Sequence, residues 1–234
     1  MTNSKKVNHM IEETLEQSSK IIADLHDLSD EIDKTANLII TAINKNRKII
    51  IIGNGGSAAD AQHIAAEFLG RYKLKRKSIP AIALTSNSST TTAIANDYDF
   101  SDIFSRQCES LISKGDVVIG ISTSGNSLNI KKGISISKKN GAITIGLLGN
   151  KGGSIKKCVD IPLIVDATET SHIQEVHRII YHVICEIVER KLVEFWNKKW
   201  FKLKDEQPNL KPIDSITPEL VNTYSEINIK NVEK

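Results

Sequence analysis

Cysteine is nearly missing from this chain of 234 residues. Cys108, Cys158 and Cys185 are odd in number and widely spaced. That excludes a disulfide framework and a CxxC metal site, and it points to a reducing cytoplasm. Net charge is also small, with 31 Lys and Arg against 28 Asp and Glu, or +3. A balance this mild does not by itself argue for nucleic acid. No apolar run reaches the ~20 residues that cross a membrane. The polar start Met1-Thr2-Asn3-Ser4-Lys5-Lys6 lacks a signal-peptide core. Aromatic residues stand at only 5% of an otherwise ordinary globular composition. The length suits one α/β domain with additions, or at most two small domains.

What is present is organised around Gly53-Asn54-Gly55-Gly56-Ser57. Before it runs Lys48-Ile49-Ile50-Ile51-Ile52, a β-branched stretch that reads as a buried strand. After it comes an alanine-rich helix former. Glycines at such a turn let backbone N–H groups approach an anion. Ser57 stands where an N-cap is expected. His63 and Glu67 follow, four residues apart on one helix face. One short element thus offers an anion cradle and, behind it, a pair for metal or proton chemistry.

Ahead of that strand, Ile11, Leu15, Ile22, Leu25, Ile32, Ala36, Ile39 and Ile43 recur at helical steps. Leu28-Ser29-Asp30-Glu31 marks a break between two helices, with Ser29 as candidate cap. Their apolar faces pack either on the chain's own sheet or on a sister subunit. Four more apolar runs follow: Ala81–Leu84, Val117–Ile121, Ala142–Leu147 and Ile161–Val165. The last contains Pro162 and belongs at a sheet edge. Strands alternating with helices predict a parallel sheet covered on both faces, with ligands bound beyond the strands' carboxyl ends. A long helix is expected from about Ser171 to Trp200. The polar stretch from Lys202 to Lys234, with Pro208, Pro212 and Pro218, reads as a tail.

Four further stretches are candidates for chemistry. Ser122-Thr123-Ser124-Gly125-Asn126-Ser127 also ends a strand and precedes a helix. Its hydroxyls and the N–H groups around Gly125 can hold phosphate oxygens, although a capped turn uses the same residues. On the last helix, Gln174 and His182 are eight residues apart, about 80° around the axis, and can face one pocket. With His63 and Glu67 they would supply two nitrogen and two oxygen ligands, compatible with Zn2+ or a similar divalent ion. Spacing alone does not choose between that and four unrelated polar residues. His172 and His177 read as surface or satisfied core residues. Asn96-Asp97 suits either a polyol contact or a capped turn. The run Lys73, Lys75, Arg76, Lys77 suits a solvated loop or the steering of an anion.

These stretches, with Gly70-Arg71-Tyr72, Thr92 to Tyr98, Phe104-Ser105-Arg106-Gln107 and Ile173 to His177, resemble the sugar isomerase (SIS) fold. Within it the resemblance is to the phosphoheptose isomerases, over residues 8–195. It implies a three-layer parallel-sheet α/β domain over 48–201, N-terminal helices over 1–47 and a tail over 202–234. The N-terminal and last helices would form oligomer contacts. It also implies conversion of sedoheptulose 7-phosphate to D-glycero-D-manno-heptose 7-phosphate in a cytoplasmic homotetramer with interface active sites. By matching motif positions, Asn54, Gly55, Gly56, Ser57, Glu67, Asn96, Asp97, Ser122, Thr123, Ser124, Ser127 and Gln174 would contact substrate. His63, Glu67, Gln174 and His182 would bind one Zn2+ per subunit, and Glu67 and His182 would move protons. Two positions depart from the family's habit: Asn87 replaces an aspartate and His172 an arginine. The rival reading is a non-catalytic relative of this fold that binds a replication initiator. A third is isomerisation of a different ketose phosphate.

Overall fold

The computed structural model describes residues 3–206. Helix α1 (Asn3–Ala23) leads through a 3-10 turn (Asp24–Leu28) into α2 (Ser29–Asn44). Then come β1 (Ile49–Gly53), α3 (Gly56–Leu69), β2 (Ala81–Ala83), α4 (Ser88–Asp97), α5 (Ser105–Leu111) and β3 (Val117–Ser122). The described residues end with α6 (Leu128–Lys139), β4 (Ile143–Leu148), β5 (Ile161–Ile164) and α7 (Thr170–Glu206). All strands are parallel, in the order β2-β1-β3-β4-β5. Pro162 therefore lies on an edge strand, where its missing N–H costs no central ladder bond.

Alternation along β1 splits the core in two. Ile49 and Ile51 join one apolar cluster with residues of α2, α3 and α7. Ile50 and Ile52 join another with Phe104, Cys108, Ile130 and Ile134. Both faces are covered, so the strand is isoleucine throughout. Each fully buried isoleucine contributes about 1.5–3 kcal/mol. Helix α7 lies on the first face through Ile173, Val176, Ile180, Ile184, Val188 and Leu192, all buried at steps of three or four.

The two N-terminal helices behave differently. On α2, Ile32, Ala36, Ile39 and Ile43 are buried in the chain's own core. On α1, Val7, Met10, Ile11, Leu15 and Ile22 are exposed.

Three local expectations are corrected. Ser29 does not cap α2; its hydroxyl donates to the His26 carbonyl inside the preceding turn. Ser57 lies inside α3 and is buried, and the cap position is Gly55, whose φ of 53° favours glycine. The last helix continues through Glu206, past the point where the tail was expected to begin. The rest of that tail, residues 207–234, lies outside the described residues.

Candidate active site

Sheet order fixes where a ligand can sit. From β1 the chain crosses one way to β2, and from β3 it crosses the other way to β4. The crevice of an open parallel sheet forms at this reversal, beyond the carboxyl ends of β1 and β3. Gly53 pairs with Ile121 in register, so the glycine loop after β1 and the serine loop after β3 flank that crevice.

The two loops are tied by a pair that sequence spacing does not signal. Asn54 and Asn129 exchange amide hydrogen bonds, each 2.9 Å long, and Asn129 Oδ1 also accepts from the Ile130 N–H. Nothing local marks Asn129; its partner lies 75 residues away. In the serine loop, Ser122 Oγ lies 3.0 Å from Ser127 Oγ and 3.4 Å from Ser124 Oγ. The Ser124 hydroxyl also accepts from the Asn126 N–H. Gly125 has φ of 65°, and a Cβ there would stand 2.4 Å from the Gly152 carbonyl carbon, so only glycine fits. Thr123 is half-buried beside these hydroxyls.

Gln174 meets the other loop. A Cβ on Gly56 would fall 2.2 Å from Gln174 Nε2, so the missing side chain makes room for this carboxamide. Along α3, Gly56 and His63 are separated by about 10 Å, and along α7 Gln174 and His182 by about 12 Å. The carboxamide is thus placed at the start of α3, away from the other three expected ligands. Gln174 and His182 share one side of α7 by angle, and the rise along the axis separates them by about two turns.

Those three do converge. One ligand atom each from His63, Glu67 and His182 lies within 4.8 Å of the others. His63 Nε2 is 3.0 Å from Glu67 Oε1. Burial, then the neighbouring His63, lowers the His182 pKa and favours the neutral imidazole that binds metals. Two imidazole nitrogens and a carboxylate oxygen form a donor set suited to a divalent ion of zinc type. Tyr72 stacks on His182, ring centroids 5.6 Å apart. Tyr181 packs against both imidazoles, edge-on to His63 at 5.5 Å and to His182 at 4.7 Å. Burial, then Asp60, pushes the Tyr181 phenol up to about 12.

The basic run resolves into parts. Arg76 is no solvated cation; it is buried and paired with Glu189 at 2.9 Å. Glu189 also accepts from the backbone N–H groups of Tyr72, Lys73 and Leu74. Arg76 donates to the carbonyls of Glu67 and Phe68. This clamp fixes Tyr72 beside His182 and the end of α3 carrying Glu67. Lys73 pairs with Glu186.

The remaining expected residues are placed as follows. Asn96 Nδ2 donates to Asp97 Oδ1 at the exposed end of α4, and neither side chain is hydrogen-bonded to the glycine or serine loop. Asn87 caps α4 by accepting from the Thr90 N–H, a task its amide oxygen performs as well as a carboxylate. His172 is buried against α1, where Ser18 Oγ lies 2.9 Å from its Nδ1 and donates to Glu175. His177 is fully buried on α7, and burial lowers its pKa to about 4.

A family model described as the SIS domain matches residues 6–149. A phosphoheptose isomerase of Citrifermentans bemidjiense is 51% identical over 166 residues, covering 71% of this chain and 86% of that protein. The chain belongs to the phosphoheptose isomerase family. A Clostridium acetobutylicum member is 46% identical over 186 residues, covering 80% of this chain and 94% of that one. Among solved structures, the phosphoheptose isomerase of Neisseria gonorrhoeae superposes with a TM-score of 0.75 at 34% identity. That match covers 79% of this chain and 99% of the other. Membership makes this chain an isomerase of the SIS fold, with the five-stranded parallel sheet and long final helix expected of it. No described helix is long and apolar enough to cross a membrane.

Proposed function

We propose that this chain interconverts sedoheptulose 7-phosphate and D-glycero-D-manno-heptose 7-phosphate in the cytoplasm, for heptose-containing surface glycans such as lipopolysaccharide. The observation that carries this reading is the meeting of Glu67 with His63 and His182. A module that only bound a replication initiator would need neither the carboxylate nor the second histidine.

In this reading the hydroxyls of Ser122, Thr123, Ser124 and Ser127 hold the phosphate, and Asn54, Gly55, Gly56, Ser57, Asn96, Asp97 and Gln174 hold the sugar. Phosphate binding energy orients the distant reacting carbons. The cluster and the loops are set apart along α3, which suits a substrate with phosphate and carbonyl at opposite ends. Glu67 takes a proton from C1, and that electron pair forms the C1–C2 double bond while the C2 oxygen gains a proton from His182, which enters this step as the imidazolium and not as a metal ligand. The enediol then loses its O1 proton to His182, and Glu67 returns a proton to C2, giving the aldose with no net proton change. His63, Glu67 and His182, with Gln174 as fourth ligand, would hold one Zn2+ per subunit; a carboxylate neutralised by the ion is not a free base, so the ligand and proton roles of Glu67 and His182 belong to different stages. A bound divalent ion supplies Lewis-acid polarisation of the carbonyl oxygen. Gln174 lies at Gly56, so its part as ligand requires the carboxamide to turn away from that glycine toward the cluster. The exposed apolar stripe of Val7, Ile11, Leu15 and Ile22 supports packing into a homotetramer.

A coupled assay across ketose phosphates of different chain length tests the substrate. Turnover is expected with the seven-carbon ketose, and preference for a shorter one would replace it. Glu67→Gln is expected to lower kcat by at least ~100-fold with the fold intact. Full activity in that variant removes Glu67 as the base.

A further inference from the structure

Asp60 and Tyr181 are almost sealed from solvent, at 2% exposure each, yet no step above uses them. Asp60 sits one turn before His63 on α3, and Tyr181 precedes His182 on α7. The Tyr181 hydroxyl lies 3.3 Å from Asp60 Oδ1 and 3.3 Å from His63 Nδ1. Arg178 Nη2 approaches the same Asp60 oxygen at 3.4 Å, from a side chain that is 57% exposed.

A phenol has one proton to donate, and an ionised carboxylate accepts only. Were the phenol to donate to His63, its oxygen lone pairs would face the buried Asp60 carboxylate without a hydrogen between them. The favourable assignment therefore runs one way: His63 Nδ1–H donates to Tyr181 Oη, and Tyr181 O–H donates to Asp60. In a neutral imidazole that leaves Nε2 as the acceptor, free to ligate. Nε2 stands 3.0 Å from Glu67 Oε1, and two bare acceptors at that separation repel unless a cation or a proton lies between them. The geometry makes sense as a metal ligand with its outer partner in place.

We propose that Tyr181, anchored by Asp60, is a positioning residue of the metal site: its hydroxyl holds His63 in the Nδ1-protonated tautomer, with Nε2 aimed at the ion. The inference rests on the metal reading of His63, Glu67 and His182. It goes beyond that reading by assigning the groups that select the tautomer and fix the ring. Outer-shell carboxylates and hydroxyls of this kind orient ligating histidines in metal sites generally, and their loss costs 10–100-fold in metal affinity.

Tyr181→Phe keeps the ring that packs on both imidazoles and deletes the hydroxyl alone. Zinc affinity of the full chain is measured by competition with a chromogenic chelator, and Co2+ is substituted to read ligand geometry by d–d absorption. The expected result is at least ~10-fold weaker zinc binding and an altered Co2+ spectrum. The chelator-treated protein should stay folded, its Tm lowered by only a few degrees for the bond lost to the buried Asp60. Asp60→Asn, which keeps the shape and removes the charge, is expected to shift both readouts the same way and serves if the first variant folds poorly. Zinc affinity within twofold of the parent in both variants overturns the inference. A parent chain that binds neither zinc nor Co2+ also overturns it. The isomerase assay on the parent chain reports separately, so loss of this inference is distinguishable from loss of the proposed reaction.

Discussion

Glu189→Gln probes the clamp behind the site. Glu189 is 1% exposed and accepts four hydrogen bonds, from the N–H groups of Tyr72, Lys73 and Leu74 and from Arg76 Nε. The substitution keeps size and one acceptor oxygen. It strands the Arg76 guanidinium in a buried place and turns an NH2 group toward backbone donors. Breaking a buried pair from one side costs about 3–5 kcal/mol. The retained oxygen places this case near 3 kcal/mol. For a chain of this size that is a fall of about 6–12 °C in Tm. Chemical denaturation at fixed protein concentration measures it, because assembly would otherwise change the apparent stability. Arg76→Met combined with Glu189→Gln removes the stranded charge, so the double variant should be more stable than the sum of the single losses predicts. Isomerase activity should fall with the clamp, since Tyr72 loses its anchor in Glu189→Gln and the Glu67 carbonyl loses its own where Arg76 is replaced. A loss below about 1 kcal/mol in Glu189→Gln would refute the argument, because it would mean that the buried charge finds compensation elsewhere.

Two further outcomes follow from buried polar groups. His177 has a folded pKa of about 4, below its ordinary 6.5, because burial disfavours the charged ring. The unfolded chain therefore takes up the proton first, and stability should fall by up to about 3 kcal/mol as pH drops from 6.5 to 4. His177→Phe should flatten that part of the stability–pH curve measured by denaturant titration, and an unchanged slope would point to other groups. Asn129→Ala should cost about 1–3 kcal/mol through the unpaired Asn54 amide. If the glycine and serine loops grip one substrate, it should also raise KM more than it lowers kcat; an unchanged KM would separate the amide pair from binding.

Most of the sheet was legible because its strands are buried on both faces and so read as unbroken aliphatic runs. Ile49 to Ile52 serve both core clusters by alternation, and no polar residue interrupts them. The break between α1 and α2 was legible, but the cap was not. Ser29 competes for its own backbone, and Gly55 starts α3 through a positive φ that composition cannot reveal. Arg76 looked like one more surface cation because its partner Glu189 lies 113 residues away.

The site divides along the same line. Whatever depends on topology was readable: two loops of turn residues, each ending a buried strand, had to meet where the sheet order reverses. His63 and Glu67 were readable because one helix turn sets their spacing. Whatever depends on a contact between distant segments was not, as Asn54 with Asn129 and Asp60 with Tyr181 show. The fourth ligand is the instructive case. Eight residues on α7 bring Gln174 and His182 to neighbouring angles, but the same eight residues separate them by about 12 Å. Periodicity reports which face a residue occupies and says nothing of how far along the helix its partner stands. A ligand set spread over two helices must satisfy both. His63 with His182 does so within one chain, whereas Gln174 meets Gly56 instead.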